Sequence, residues 1–372
     1  MDSKEINVMT GRWTALDLLR GLTIAAMILV NRPGDWSNLY APLAHAEWHG
    51  ATPTDFIFSF FLFIVGVSIA IAFRKQIEKG VTPVQLYPKI LVRALKLMLF
   101  GLGMGLLIYL AGWSDFRATG VLQRIAIVYL VCSLIFLHSG WRTQLLFMGV
   151  ILVGYWLLLS FVPVPGTGST GFAWEDNLVS WLDRQYMPGV LYRKVHDPEG
   201  LLSTIPAIAT GLSGLLTGHI YLNYKAKSQL LRPFALIGLT GVLLGWLWNL
   251  DFPFNKNLWS SSYVLLTSGW AMLFLAGITW LVDVKKWKWG VRPLLVFGSN
   301  AITVYLLSFL MVFPFALITV GEGISIQSWL LGFVRQLPLN PKQVSLVWAL
   351  FSLLLCYWPM KYLYRKRIFL KV

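Results

Sequence analysis

Ten stretches of this 372-residue chain run close to twenty residues with almost no charge, and that repetition restricts the fold more than any other feature. The hydrocarbon core of a bilayer is about 30 Å thick, which an α-helix crosses in about 20 residues. No water reaches the backbone there, so every N–H and C=O must be paired inside the segment, as a helix does. The runs lie at about 13–31, 54–73, 89–111, 120–137, 143–162, 202–222, 233–250, 259–282, 293–319 and 343–363. They predict an all-α polytopic integral membrane protein with about ten transmembrane helices. The ninth run is long enough to be bent at Pro314 or split in two, and a split would make eleven.

Composition supports this reading. Charged residues make up 13% of the chain, against about 25% in soluble domains. Eighteen Trp and fourteen Tyr suit rings seated at the two membrane–water boundaries. The net charge of +15 invites a nucleic-acid reading. Membrane proteins, however, gather Lys and Arg on cytoplasmic loops, and no nucleic-acid partner is expected. With the N-terminus inside, the segments on its side hold 19 Lys and Arg against 8 on the other. Both termini are therefore predicted to be cytoplasmic, and His45 to be extracytoplasmic. The first twelve residues contain acids and no small-residue cleavage site, so no removable signal peptide is expected. Cys132 and Cys356 both lie in apolar runs, which argues against a disulfide framework or a cysteine metal site.

No repeat of fixed period divides the chain, and residues 1–372 read as a single transmembrane domain. Its one sizeable outer segment, about 163–201, opens on the loop sequence Pro163-Val-Pro-Gly-Thr-Gly-Ser-Thr-Gly171 and is expected to cap the outer face.

The chemistry concentrates in His45-Ala-Glu-Trp-His-Gly-Ala-Thr-Pro-Thr-Asp55, which leads straight into hydrocarbon. A carboxylate at the mouth of a membrane helix is costly and usually has a partner or a task. A lone loop histidine is most often a surface residue. Asp55, ten residues on across a turn, makes a base–orienter pair with His45 a second reading, since a carboxylate fixes the tautomer and stabilises imidazolium. His45 and His49 lack further ligands at a metal-site spacing, and no metal is expected. Elsewhere, Asp17 and Arg20 share a helix face at a depth like that of Arg93 and Lys96. These groups read either as a salt-bridge cluster pinning helices or as a site for a phosphorylated ligand entering from the cytoplasm. Asn31 ends the first span at the outer level, where Gln123 and Arg124 open the fourth, and Arg124 paired with Asp55 would be pure scaffold. Asp251-Phe-Pro-Phe-Asn-Lys-Asn257 begins an outer turn rich in hydrogen-bonding groups, suited to a polar acceptor.

Leu16-Asp-Leu-Leu-Arg-Gly21, Asn31, His45-Ala-Glu-Trp-His-Gly50 with Asp55, Gly120-Val-Leu-Gln-Arg124, Asp197-Pro-Glu-Gly-Leu-Leu202 and Asn255-Lys-Asn-Leu-Trp-Ser260 occur in this order. Together they resemble the heparan-α-glucosaminide N-acetyltransferase family, more closely its bacterial branch, from about residue 12 to the C-terminus. The resemblance implies a transmembrane enzyme that moves acetyl from cytoplasmic acetyl-CoA to the amine of an extracytoplasmic glucosamine-type sugar. It places the active histidine at His45, as general base or acetyl carrier, with Asp55 and Asn31 beside it. The pattern does not require His49. Two departures stand out. Relatives carry a neutral residue where this chain has Arg32, and commonly a proline where it has Ser59. A guanidinium beside Asn31 would perturb a neighbouring base or fill part of the acceptor site, and loss of the proline would straighten the second span.

The resulting expectation is an acetyl-CoA-dependent N-acetyltransferase with His45, Asp55 and Asn31 in catalysis. Arg20, Arg93, Lys96 and Arg124 are assigned to the donor, and His49, Asp251 and Asn257 to the acceptor. The expected setting is the bacterial inner membrane, multi-pass, with the lipid bilayer as partner and a homodimer left open. The rival class is a transporter or flippase for a polar envelope precursor, which would show broken helices and midplane charges. A third is a non-catalytic scaffold.

Overall fold

The computed structural model describes residues 13–321 and 323–369. The first twelve residues, on which the signal-peptide expectation falls, lie outside the described residues. In chain order the helices are α1 (Thr14–Asn31), α2 (Pro53–Ile77), α3 (Pro83–Leu110), α4 (Val121–His138), α5 (Trp141–Phe161), the short α6 (Leu178–Tyr186), α7 (Thr204–Asn223), α8 (Leu231–Trp248) and α9 (Ser261–Ile278). They continue with α10 (Val291–Ser299), α11 (Ala301–Leu310), α12 (Val312–Leu317), α13 (Ile326–Arg335) and α14 (Pro341–Arg365). Among the described residues nine helical segments are long and apolar enough to cross a membrane, and one bent pair makes up to ten. Each falls on one of the ten apolar runs. The chain is a multi-pass, all-α membrane protein.

The ninth run is broken, but not where proline suggested. Val291–Ser299 and Ala301–Leu317 meet at 83° across Asn300, whose backbone leaves the helical region at φ −130° and ψ 45°. Asn300 Nδ2 donates to the Ile368 carbonyl at 3.0 Å, so the broken turn finds a partner outside its own helix. Pro314 instead occupies the first turn of α12, which Met311, itself near helical geometry at φ −65° and ψ −17°, joins to α11.

The chain divides into two compact units. Among the described residues the first comprises 13–45, Thr52–Ile57, 277–321 and 323–369. Here α1 lies against α10 and α14. The α1–α10 crossing is a backbone contact: a Cβ on Gly21 would sit 1.9 Å from the Leu294 carbonyl oxygen, and one on Gly298 2.0 Å from that of Asp17. Small residues at such a crossing let two membrane helices approach closely. After the ninth run a two-stranded hairpin pairs β1 (Thr319–Val320) with β2 (Ile324–Ser325) and is followed by α13. Leu331 of α13 packs on Val344 and Trp348 of α14.

The second unit comprises Ala46–Ala51 and Phe58–Ala276. Within it α3 packs on α4, and α7 on both α4 and α5. The outer segment is tightly built. Asn177 caps α6 by accepting from Ser180 N at 2.8 Å. Leu178 and Val179 then join Tyr155, Leu159, Val164, Phe252 and Leu258 in one buried apolar cluster.

Candidate active site

Pro42 opens a single 3-10 turn, Ala41–Leu43, and Pro53 begins α2, so the chain is stiff on both sides of the loop that carries His45. Asp55 sits in the first turn of α2, where unpaired N–H groups and the helix dipole favour negative charge. Its side chain is 1% exposed. Oδ1 lies 2.6 Å from His45 Nδ1. Oδ2 accepts from Thr52 N at 2.9 Å and lies 3.1 Å from the Thr52 hydroxyl. A second brace comes from Thr54, whose Oγ1 donates to the Pro42 carbonyl at 3.0 Å. An ionised carboxylate only accepts, so Nδ1 of the neutral imidazole carries the proton and Nε2 carries the lone pair. The His45 side chain is 35% exposed while its orienting acid is buried. That arrangement suits a base open to a substrate and held by a fixed partner. Asn31, the last residue of α1, is exposed and joins neither side chain by a hydrogen bond.

The residues after His45 are anchored in the second unit. Gly50 N donates to the Phe254 carbonyl at 2.7 Å, and Trp48 Nε1 to the Phe172 carbonyl at 2.8 Å. His49 is exposed, with Asn255 Nδ2 3.4 Å from its Nδ1, and partial burial lowers its pKa. Asp251 is exposed and accepts from Trp156 Nε1 at 2.6 Å. Asn257 is half-buried beside His196.

The expected donor cations divide. Arg20 Nη1 pairs with Asp17 at 2.7 Å and points a second contact at the Gly298 carbonyl, 3.4 Å away, in the first unit. Arg124, wholly buried in the second unit, donates to the Gly200 carbonyl and Ser203 Oγ, where the sequence suggested Asp55 as partner. Its guanidinium lies 5.1 Å from the Trp259 ring centre. Arg93 and Lys96 are both exposed on α3, with Arg93 over the Tyr129 ring at 4.8 Å. The two family departures also find partners: Arg32 Nε donates to the Ser308 carbonyl at 2.8 Å, and Ser59 Oγ to the Tyr263 hydroxyl at 2.8 Å. The second span runs unbroken through Ser59.

Sequence reading assigned no role to the polar network of the outer segment. Arg117 binds both oxygens of Asp197 and also reaches Glu199. Burial works to raise the Asp197 carboxyl, but the bonds and charge of Arg117 outweigh it and hold that group below the usual carboxylate range. Asp183 accepts from the backbone N–H of Asp197 and Leu201, yet burial still pushes it up to about 6. A Cβ at Gly200 would lie 2.1 Å from Asp183 Oδ2, which explains the glycine of Asp197-Pro-Glu-Gly200. His196 is buried between Trp48 and Trp174, with ring centres 5.0 Å from each. Burial, then the nearby Arg193 charge, pushes its imidazole down to about 4. The motif Asp197-Pro-Glu-Gly200 was the available signal, but Asp183, Thr119 and Arg117, which bind it, lie 14 to 82 residues away.

Residues 12–248 match the family model described as heparan-alpha-glucosaminide N-acetyltransferase, catalytic. The chain belongs to that family. The heparan-alpha-glucosaminide N-acetyltransferase of Homo sapiens is 31% identical over 357 residues, covering 81% of this chain and 53% of the human protein. That of Mus musculus is 31% identical over 351 residues, covering 79% of this chain and 53% of the mouse protein. The chain thus spans about half the length of the curated relatives it matches. The family-model match includes His45, Asp55 and the outer segment.

Proposed function

We propose that the protein is a transmembrane N-acetyltransferase that uses acetyl-CoA from the cytoplasm and a glucosamine-type amine on the far side of a bacterial inner membrane, with residues 1–372 working as one catalytic domain. The observation that carries this reading is the contact of 2.6 Å between His45 Nδ1 and buried Asp55, in a chain of this family. An ammonium cannot attack a thioester. His45 Nε2 takes a proton from the sugar ammonium, and the freed amine lone pair attacks the acetyl carbonyl carbon. The C–S bond then breaks, the nitrogen gives up its second proton as the amide forms, the thiolate of coenzyme A takes up one proton, and His45 releases the other to solvent. Asp55 holds the ring and stabilises the imidazolium, while Asn31 is proposed to donate its amide to the developing oxyanion. Arg20 is proposed to face the donor, and His49, Asp251 and Asn257 the acceptor.

The test uses purified protein with acetyl-labelled acetyl-CoA and glucosamine. Labelled N-acetylglucosamine is the expected product, and its absence with folded protein that binds acetyl-CoA would end the proposal. The span broken at Asn300 is the one feature favouring a transporter. Proteoliposomes that accumulate a polar solute without acetylating it would support that reading instead.

A further inference from the structure

Helix α3 presents to its surroundings a row of cations, two of which the sequence assigned to the acetyl-CoA donor, in a pattern that fits a different phosphate-bearing ligand. Lys89, Arg93 and Lys96 follow one another at four and three residues, so they form one stripe along the helix. All three are exposed. The buried seam of α3 is Leu86, Ile90, Ala94, Leu97 and Gly101, and the stripe runs to one side of it. Around the cations stand Val92, Leu95 and Leu99, between 51% and 57% exposed. Among the described residues none of the three cations has an acidic partner. The sequences of α3, α4 and α5 contain no Asp or Glu at all.

Depth makes this arrangement informative. The last twenty residues of α3, Leu91 to Leu110, are the length that a bilayer core requires. Lys89 then stands about 3 Å outside the hydrocarbon edge, with Arg93 and Lys96 about 3 and 8 Å inside it, at 1.5 Å rise per residue. Their stems can lie along the apolar helix while the charged ends reach back to the phosphate layer. Arg93 stays over Tyr129 of α4, which fixes its guanidinium at the α3–α4 seam.

We propose that this face of α3 is a binding site for an anionic phospholipid of the leaflet at the N-terminal end of the helix. The phosphate is held by Lys89, Arg93 and Lys96, and the acyl chains lie on Val92, Leu95 and Leu99. Phosphate chemistry alone would also admit coenzyme A. The apolar residues interleaved with the cations, 51% to 57% exposed, decide for lipid, since acyl chains cover such a surface without cost whereas the amides of coenzyme A's pantetheine arm would lie against it unpaired.

Lipid retention is measured by native mass spectrometry after reconstitution in mixed phosphatidylcholine and phosphatidylglycerol vesicles and extraction in mild detergent. Wild-type protein is expected to keep phosphatidylglycerol in preference to phosphatidylcholine. Each basic residue near an anionic surface is worth about 1 kcal/mol, or about fivefold in affinity. The triple variant Lys89→Gln, Arg93→Gln, Lys96→Gln is therefore expected to lose the preference. The charge-keeping pair Arg93→Lys, Lys96→Arg should retain most of it, and a monodisperse elution profile checks folding. Equal retention of both lipids by the wild type, or an unchanged preference in the triple variant, overturns the proposal. So does loss of acetyl-CoA binding with lipid preference intact, which would return the stripe to the donor. None of these readouts depends on turnover, so failure of the acetyltransferase proposal is a separate result.

Discussion

His45 and Asp55 have different exposure, and so different expected responses to substitution. Removing the imidazole removes the proton acceptor, and general base catalysis is worth about 10²–10⁴-fold. His45→Ala is expected to lose at least that much turnover while elution profile and acetyl-CoA binding stay unchanged. Asp55→Asn keeps the size of a side chain braced by Thr52 but removes the charge that steadies the imidazolium. Its expected signature is a fall in kcat with both KM values little altered. A matching rise in KM would instead mean that Asp55 shapes the binding site. This pair was legible in the sequence because its members lie ten residues apart across a turn bounded by prolines, so local stiffness brings them together. The partner of Arg124 was not: Gly200 and Ser203 lie 76 and 79 residues away, and only the packed outer segment brings them to the guanidinium.

At the scale of elements, the outer segment carries two buried groups whose protonation opposes one another. The His196 pKa falls from 6.5 to about 4 on folding, so the unfolded chain binds more protons between those values. Its contribution to stability is present above pH 6.5 and is lost as pH falls towards 4. Asp183 moves from 3.8 up to about 6, so the folded chain binds more protons. Its contribution is present below about pH 4 and is lost as pH rises through 6. Each is worth roughly 3 kcal/mol, and in the wild type they nearly cancel. His196→Phe keeps an aromatic ring between Trp48 and Trp174 and leaves Asp183 unopposed. Compared with the wild type, the variant should gain melting temperature at pH 4.5 relative to pH 6.5, because the contribution of Asp183 grows as pH falls. The same slope in both proteins would mean that the two groups do not govern the segment. Such couplings escape a sequence reading, because a run of Pro, Gly, Ser and Thr signals a loop without saying what the loop encloses. The membrane-spanning helices were legible, since each depends on about twenty consecutive apolar residues, whereas the short α6 and α13 carry no such run. The exception is the bend at Asn300, where one polar residue in hydrocarbon outweighed the more conspicuous Pro314.

For the whole molecule, orientation decides whether donor and acceptor approach from opposite sides. Lys and Arg are retained on the cytoplasmic side of membrane proteins, and the distribution of 19 against 8 is the basis for expecting both termini there. On that expectation the proposed reaction is a transfer across the bilayer, because the His45–Asp55 loop follows the end of α1 opposite its N-terminus. Two exposed positions test this directly. Ser37 lies between α1 and α2 on the side assigned to the acceptor, and Lys79 between α2 and α3 on the side assigned to the donor. The native thiols, Cys132 and Cys356, are both buried and provide a low background. In intact cells with a permeabilised outer membrane, Ser37→Cys should react with a membrane-impermeant maleimide, and Lys79→Cys should react only after the inner membrane is opened. If Lys79→Cys is labelled in intact cells and Ser37→Cys is protected, His45 faces the cytoplasm. Acetyl-CoA would then meet its acceptor on the same side, and no transfer across the membrane would be required.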